Sequence, residues 1–227
     1  MTSSNDDAAT DVLIREVDDD LRQENLEKLW KKYGALIIGG ALAVVLAVAG
    51  AQAWRTWQHN QGLQSSVRFN EANQMLDGAD KAKGLEALQG LADAGTSGYR
   101  VLSEMKLAQV KLAAGDAAGA AALYDRIAAT SEVEGLYRDM AVLKSAYLKI
   151  ETADAALVEK SVTPLAVEAS PWRHSAREVL ALLALRAGDR DKALELLRKV
   201  ADDVAAPTGI RGRAAELLAA LESAAKG

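Results

Sequence analysis

The side chains that most often perform catalysis are scarce in this chain. It has no cysteine and only two histidines, His59 and His174. His174 is followed by Ser175 and Arg177, but one imidazole beside one hydroxyl lacks the third group that orients a nucleophile and its base. We interpret His174 as a partly exposed residue of a repeat helix and His59 as an interfacial side chain. No catalytic residue is predicted, and the chain is predicted not to be an enzyme.

Acidic clusters and glycine pairs also lack the spacing that ion or phosphate sites need. Asp18–Asp20 and Asp202-Asp203 have neither the alternating ligands nor the glycine of a calcium loop, so we interpret them as solvated faces. Gly39-Gly40 follows no strand and is no phosphate loop. Bases and acids are mixed along a chain of net charge −5, without the basic stripe that nucleic acid attracts. We predict no metal site, no cofactor, no small-molecule substrate and no nucleic-acid partner.

An uncharged apolar segment from Tyr33 to Trp54 is long enough to cross a membrane. About 22 helical residues rise ~33 Å, and a bilayer's hydrocarbon core is ~30 Å thick. Aromatic and basic side chains stand at both ends, where they would contact lipid headgroups. These interface residues are Trp30, Lys31, Lys32, Tyr33, Trp54, Arg55 and Trp57.

Two other interpretations compete with a membrane anchor. Ala51-Gln52-Ala53 has the form of a signal-peptide cleavage site, but the leader is acidic and the apolar run exceeds the usual ~7–15 residues. A buried helix of a soluble domain rarely has a run this long without charge. We therefore prefer a single transmembrane helix at 33–54.

Basic residues are more frequent before this segment than after it. The positive-inside rule then places the N-terminus in the cytoplasm and the C-terminal domain on the far side. The preceding bases are Arg22, Lys28, Lys31 and Lys32, and the following ones are Arg55 and Arg68.

Small residues form a stripe along the apolar segment. They recur every fourth position, which would let another membrane helix approach closely, although an alanine-rich chain also produces such stripes by chance. The stripe consists of Ala35, Gly39, Ala43, Ala47 and Ala51. Before the segment, Leu13, Val17 and Leu21 share one helical face and predict a short amphipathic helix within residues 1–32.

A repeat of about 36 residues follows the apolar segment. Small-Asp pairs mark it, because a small residue can end one helix and Asp can cap the next. An Ala stands seven residues before each pair, and a small or apolar residue stands five after it. The pairs are Ala79-Asp80, Gly115-Asp116, Ala153-Asp154 and Gly188-Asp189.

Each unit therefore predicts helix A, a tight turn and helix B. One hairpin cannot bury its apolar stripe alone, so we expect four to stack into a solenoid. Residues 211–225 are expected to form a capping helix with Arg213, Glu216 and Glu222 toward solvent. The predicted class is all-α: one N-terminal transmembrane helix, a solenoid of about four hairpins and a C-terminal capping helix.

The repeat pattern resembles tetratricopeptide repeats, most clearly at 107–127 and 180–200. In the third repeat, Val158 replaces the small residue and Pro164 interrupts helix B. The whole layout resembles the YfgM family, an ancillary subunit of the bacterial Sec translocon. Lys31–Gly34, Trp54–Trp57, Tyr99–Leu102 and Leu107–Gln109 carry this resemblance, which covers roughly residues 16–225.

The resemblance implies a bacterial inner-membrane protein with a cytoplasmic segment (1–32), a transmembrane helix (33–54), a linker (55–61) and a periplasmic domain (62–227). Its implied partners are membrane lipid, subunits of the Sec translocon, and periplasmic chaperones or unfolded clients. Two alternatives stay open, a scaffold of another envelope complex and a released periplasmic adaptor.

Partner-binding positions also follow from the resemblance. Tetratricopeptide repeats bind along the wall formed by their A helices, although residues there can also pack between repeats. The transferred positions are Phe69, Asn73, Met105, Gln109, Leu143, Tyr147, Glu178 and Leu182. Versions that hold a C-terminal carboxylate present Lys and Asn, of which only Asn73 is present, so an apolar or helical partner is expected.

Overall fold

A computed structural model describes the backbone of residues 3–224 and the side chains of residues 30–223. This part of the chain contains helices and no strand, which confirms the all-α prediction. The helices are α1 (Ser3–Asp77), α2 (Lys81–Ala94), α3 (Ser97–Ala113), α4 (Ala117–Ala129), α5 (Gly135–Lys149), α6 (Ala155–Val162), α7 (Arg173–Arg186), α8 (Arg190–Ala201) and α9 (Thr208–Ala224), with a 3₁₀ turn at Thr163–Leu165.

The chain divides into two compact units, Met1–Asn60 and Gln61–Gly227. Residues 55–61, predicted as a linker, are helical and belong to α1. They contain neither Pro nor Gly, the residues that most readily end a helix. The side chains of the predicted amphipathic segment, residues 13–29, lie outside those described.

Four helical hairpins and a terminal helix form the second unit, as predicted. The A helices are α1 from Gln61 onward, α3, α5 and α7, and the B helices are α2, α4, α6 and α8. From α2 to α9, neighbouring helices pack in chain order, and α9 also packs on α7. Helix α1 approaches α2 at Gly84.

Helix capping follows the predicted small-Asp pairs. Asp116 accepts a hydrogen bond from the Gly119 amide at 2.7 Å, and Asp154 and Asp189 cap α6 and α8 in the same way. Asp80 precedes α2 without a side-chain cap bond. Gly115 and Gly188 have φ of 80° and 79°, a conformation that glycine adopts without steric cost.

The register residues of the repeat lie in the core. All four Ala positions and the four facing positions of the B helices are buried: Ala72, Ala108, Ala146, Ala181, Gly84, Ala120, Val158 and Ala193. Gly84 shows how close this packing is, because an added Cβ would lie 2.8 Å from the Ala72 carbonyl oxygen. The small residues therefore allow the two helices of a hairpin to approach, as predicted.

The third repeat departs from the others in the predicted way. Helix α6 has only 8 residues and is followed by the 3₁₀ turn that contains Pro164. A proline ring removes a backbone donor and ends the regular helix. Val158, Val162 and Leu165 still supply buried apolar side chains to this hairpin.

Candidate functional site: the wall formed by the A helices

The eight predicted partner-binding residues lie on the A helices, but not all of them are surface residues. Leu143 is 3 % exposed and belongs to the core, so it supports the wall from behind instead of contacting a partner. Glu178 is also buried, at 2 % exposed, because two neighbouring helices cover it. The positions taken from the family resemblance come in pairs four residues apart, which selects one face of each A helix. Their spacing does not show how closely the adjacent repeats cover that face.

The first two A helices keep their predicted residues partly accessible. Phe69 packs against the core, with its ring centroid 5.9 Å from that of Tyr99. Asn73 donates a hydrogen bond to the Phe69 carbonyl at 2.9 Å within α1. Met105 is half-buried, and Gln109 is exposed on α3. This end of the wall offers mainly apolar surface.

An open groove of about 350 Å³ lies between α3 and the start of α5. We call it the α3–α5 groove. Its lining is apolar apart from Ser97 and two acidic residues: Ser97, Gly98, Val101, Leu102, Met105, Glu132, Val133, Glu134 and Tyr137. Of these, only Met105 was predicted from the sequence. The exposed Leu102 lies in the Tyr99–Leu102 motif, which was the available signal.

At the other end of the wall, one carboxylate joins three helices. Glu178 of α7 accepts hydrogen bonds from the Arg213 guanidinium of α9 at 2.7 and 2.8 Å, and from the Tyr147 hydroxyl of α5 at 2.6 Å. We call these three residues the Glu178 cluster. Arg213 was predicted to face solvent. Its side chain is 55 % exposed, and its guanidinium also pairs with Glu178, a contact that the sequence did not predict.

The Glu178 cluster is a structural contact, not an acid–base pair. Burial, followed by the hydrogen bond to Glu178, raises the pKa of Tyr147 above its usual range. The hydrogen bond to Glu178 raises the pKa of Arg213. At neutral pH the phenol keeps its proton and the guanidinium its charge, so neither group transfers a proton. A shallow pocket of about 510 Å³ adjoins the cluster and includes the predicted Leu182.

His174 is buried, at 4 % exposed, and not partly exposed as predicted. Neither ring nitrogen has a hydrogen-bond partner among the described atoms. The Asp203 carboxylate lies 3.6 Å from its Nε2, and Arg173 and Arg177 lie on the same helix. The Asp203 carboxylate also lies 3.6 Å from Arg173 and accepts a hydrogen bond from the Ala205 amide. It therefore makes specific contacts, whereas the sequence predicted a solvated face.

His174 should make the stability of the repeat domain sensitive to mild acid. Burial and the nearby Arg173 lower the pKa of His174 below its usual 6.5. Between about pH 7 and 5, His174 is therefore protonated more readily in the unfolded chain than in the folded chain. The free energy of unfolding falls as the pH drops through this range. His174→Leu should flatten this dependence. Each unit of pKa difference corresponds to about 1.4 kcal/mol.

Thermal unfolding of the full-length protein at pH 7.5 and 5.5 measures the effect. Burial raises the pKa of Glu104, which works in the opposite direction, but Glu104 is common to both proteins and cancels in the comparison. His59→Gln, which alters the other histidine, is the control and should keep the wild-type dependence. If the stability of His174→Leu depended on pH as that of the wild type does, His174 would not be the source of the acid sensitivity.

Comparison with known families agrees with the stacked helical hairpins described above. A family model described as a tetratricopeptide repeat-like domain matches residues 27–157, more than half of the chain. The chain belongs to this family. No curated protein and no solved structure matches it significantly.

The tetratricopeptide repeat-like match includes the apolar segment at 33–54 and continues through α5 into α6. The last hairpin lies beyond the matched range, and its assignment rests on the buried register residues Ala181, Ala193 and Val200. Stacked repeats of this kind provide an extended surface for other proteins and are typically non-catalytic. The domain is thus a protein-interaction fold.

Proposed function

We propose that this chain is a single-pass bacterial inner-membrane protein whose periplasmic repeat domain binds other proteins beside the Sec translocon and links it to periplasmic chaperones. The observation that carries the proposal is a tetratricopeptide repeat-like domain with an open, largely apolar A-helix wall in a chain with a membrane-length apolar helix. The sequence resemblance to the YfgM family supports the choice of partner.

The apolar segment supports the membrane anchor. Among the described residues, one helix is long and apolar enough to cross a membrane. Its large side chains are open to the surroundings, as Leu36 is 71 % exposed and Val48 64 %. Such exposure in water would cost about 25 cal/mol for each Å² of apolar surface. A lipid environment removes that cost.

Aromatic residues at both ends support the same placement. Trp54 and Trp57 lie with their ring centroids 5.1 Å apart, and Lys32 lies over the Tyr33 ring at 5.3 Å. Amphipathic rings and snorkelling lysines are typical of the headgroup region. They would fix the depth of the helix in the bilayer.

The topology is expected to be N-in, because the bases are concentrated before the apolar segment. Since the chain has no cysteine, single cysteines can report the side of the membrane. In intact spheroplasts, a membrane-impermeant maleimide should label Lys160→Cys and spare Thr10→Cys until the membrane is opened. The cysteine-free parent is the control. If only Thr10→Cys were labelled in intact spheroplasts, the N-terminus would lie outside and the predicted topology would be wrong.

Crosslinking in intact membranes tests the proposed partners. Tethering raises the local concentration of the domain at the membrane, into the mM range for a short linker, so modest affinities suffice. Photo-crosslinkers placed at the exposed Leu102 and Tyr137 should capture translocon subunits and periplasmic chaperones. The same probe at Lys160, outside both pockets, is the matched control. Neighbours from a different envelope complex alone would overturn the translocon assignment.

The small-residue stripe is expected to contact another membrane helix. A Cβ added at Gly39 would meet no atom within 4 Å, so the stripe is uncovered by the described part of this chain. Close packing, rather than the hydrophobic effect, drives helix association in lipid. Gly39→Leu with Ala43→Leu should reduce recovery of membrane partners from mild detergent.

The control for the stripe is Val44→Leu with Val48→Leu, which enlarges two other exposed residues of the same segment. Insertion and helicity should be unchanged in both pairs. Equal recovery from the two double variants would mean that the stripe is only a consequence of composition.

A further inference from the structure

The α3–α5 groove combines an apolar surface with two carboxylates that form no ion pair with any side chain the structure describes. Leu102 and Tyr137 are 45 % and 48 % exposed at its wall, and the adjoining Leu136 is 46 % exposed. Elsewhere α5 packs on α7 and α7 on α9, and the pocket there includes the charged Glu178, Arg213 and Glu216. The α3–α5 groove is therefore a separate and mainly apolar opening of the A helices.

Glu132 and Glu134 are the only charged residues that line the groove, and both are exposed. Neither forms an ion pair with a basic side chain that the structure describes, and Arg138, one turn further along α5, pairs with neither. Other acidic side chains of these repeats are paired, as Asp93 with Arg126 and Asp125 with Lys149. The groove is thus apolar and locally negative.

We propose that the α3–α5 groove binds a segment of a partner protein in which apolar side chains stand next to a Lys or Arg. The apolar side chains would occupy the surface of Leu102, Met105 and Tyr137. The basic group would reach Glu132 and Glu134. A free C-terminal carboxylate is disfavoured there, because it would meet like charge without a basic residue in the lining.

The position of the two carboxylates also has a structural consequence. They precede α5, whose N-terminal dipole favours negative charge. Neutralising them would therefore lower stability slightly whether or not they bind a partner. Binding and unfolding must be measured on the same variants.

A labelled peptide of Leu and Lys is the probe, and the matched peptide with Glu at every Lys position is its control. The full-length chain is held in nanodiscs of zwitterionic lipid, and the signal from empty discs is subtracted. Fluorescence anisotropy should show the Lys peptide binding at least tenfold more tightly than the Glu peptide at low salt. High salt should reduce that difference, because the carboxylates are exposed.

Variants assign the binding to the groove. Glu132→Gln with Glu134→Gln should weaken binding of the Lys peptide about fivefold, as expected for exposed ion pairs. Leu102→Ser should weaken it about tenfold through lost apolar contact. The matched controls are Glu151→Gln and Leu157→Ser, which alter an exposed carboxylate and an exposed leucine outside the groove. They should bind as the parent does.

Each contrary result overturns the proposal. Equal binding of the two peptides would show an apolar surface without charge selection. Parent-like binding by the groove variants, with parent-like melting, would place recognition elsewhere. A dimer in mass photometry that Leu102→Ser converts to monomer would make a second copy the occupant.

The proposal rests on the proposed protein-binding function, but the two fail separately. Crosslinked translocon neighbours together with a groove that ignores the Lys peptide would overturn only the groove assignment. If probes at Leu102, at Tyr137 and at the exposed Gln109 outside the groove all captured no protein neighbour in membranes, the proposed function itself would be overturned.

Discussion

Gly84→Val should destabilise the first repeat by about 3 kcal/mol, the upper range for overpacking in a core. An ideal Cβ at Gly84 would lie 2.8 Å from the Ala72 carbonyl oxygen and 3.0 Å from the Leu76 amide nitrogen. Both are backbone atoms of α1, so the two helices must separate to make room. The contact of Phe69 with Tyr99 at the same end of the wall should loosen with them.

Gly90→Val is the matched control for this prediction. Gly90 lies in the same helix, is exposed, and has open space where its Cβ would stand. Valine has a slightly better helix propensity than glycine, so this variant should be neutral or more stable by about 0.5 kcal/mol. Thermal and denaturant unfolding of both proteins gives the difference. Similar melting of the two variants would contradict the close approach of α1 and α2.

Arg213→Met should have the second large effect, because it leaves the buried Glu178 carboxylate with only the Tyr147 hydroxyl. Removing one partner of a buried ion pair typically costs about 3–5 kcal/mol. Since Arg213 is half-exposed and its loss opens a path for water, we expect about 2–3 kcal/mol. Denaturant unfolding at pH 7 measures this loss.

A double variant separates loss of the ion pair from loss of packing. Adding Glu178→Gln to Arg213→Met should recover much of the stability, because the unpaired charge is removed. Additive losses from the two substitutions would contradict the interpretation.

The exposed Arg198–Glu222 pair provides the matched control. It joins α8 to α9 at 2.9 Å, but both side chains are about half exposed. Arg198→Met should therefore cost at most about 1 kcal/mol, the range of surface ion pairs. The comparison tests burial, because both changes remove an arginine from a pair with glutamate near α9.

The sequence by itself determined the all-α class, the repeat register, three of the four Asp caps and an apolar segment of membrane-spanning length. These features depend on neighbours within a few residues or on a period along the chain. Asp116 caps its own helix, and Pro164 ends its own helix, whatever lies opposite. Even the buried Ala72 and Gly84 were identifiable, because the two helices of each repeat pack closely at the same positions.

Only the tertiary structure decided which wall residues a partner can reach. Leu143 and Tyr147 are one helical turn apart, yet the first is core and the second contacts Glu178. Arg213 pairs with a carboxylate 35 positions earlier. The burial of His174 and the α3–α5 opening depend likewise on how far adjacent repeats separate. That separation follows from side-chain packing between helices distant in sequence, which local propensity and periodicity do not encode.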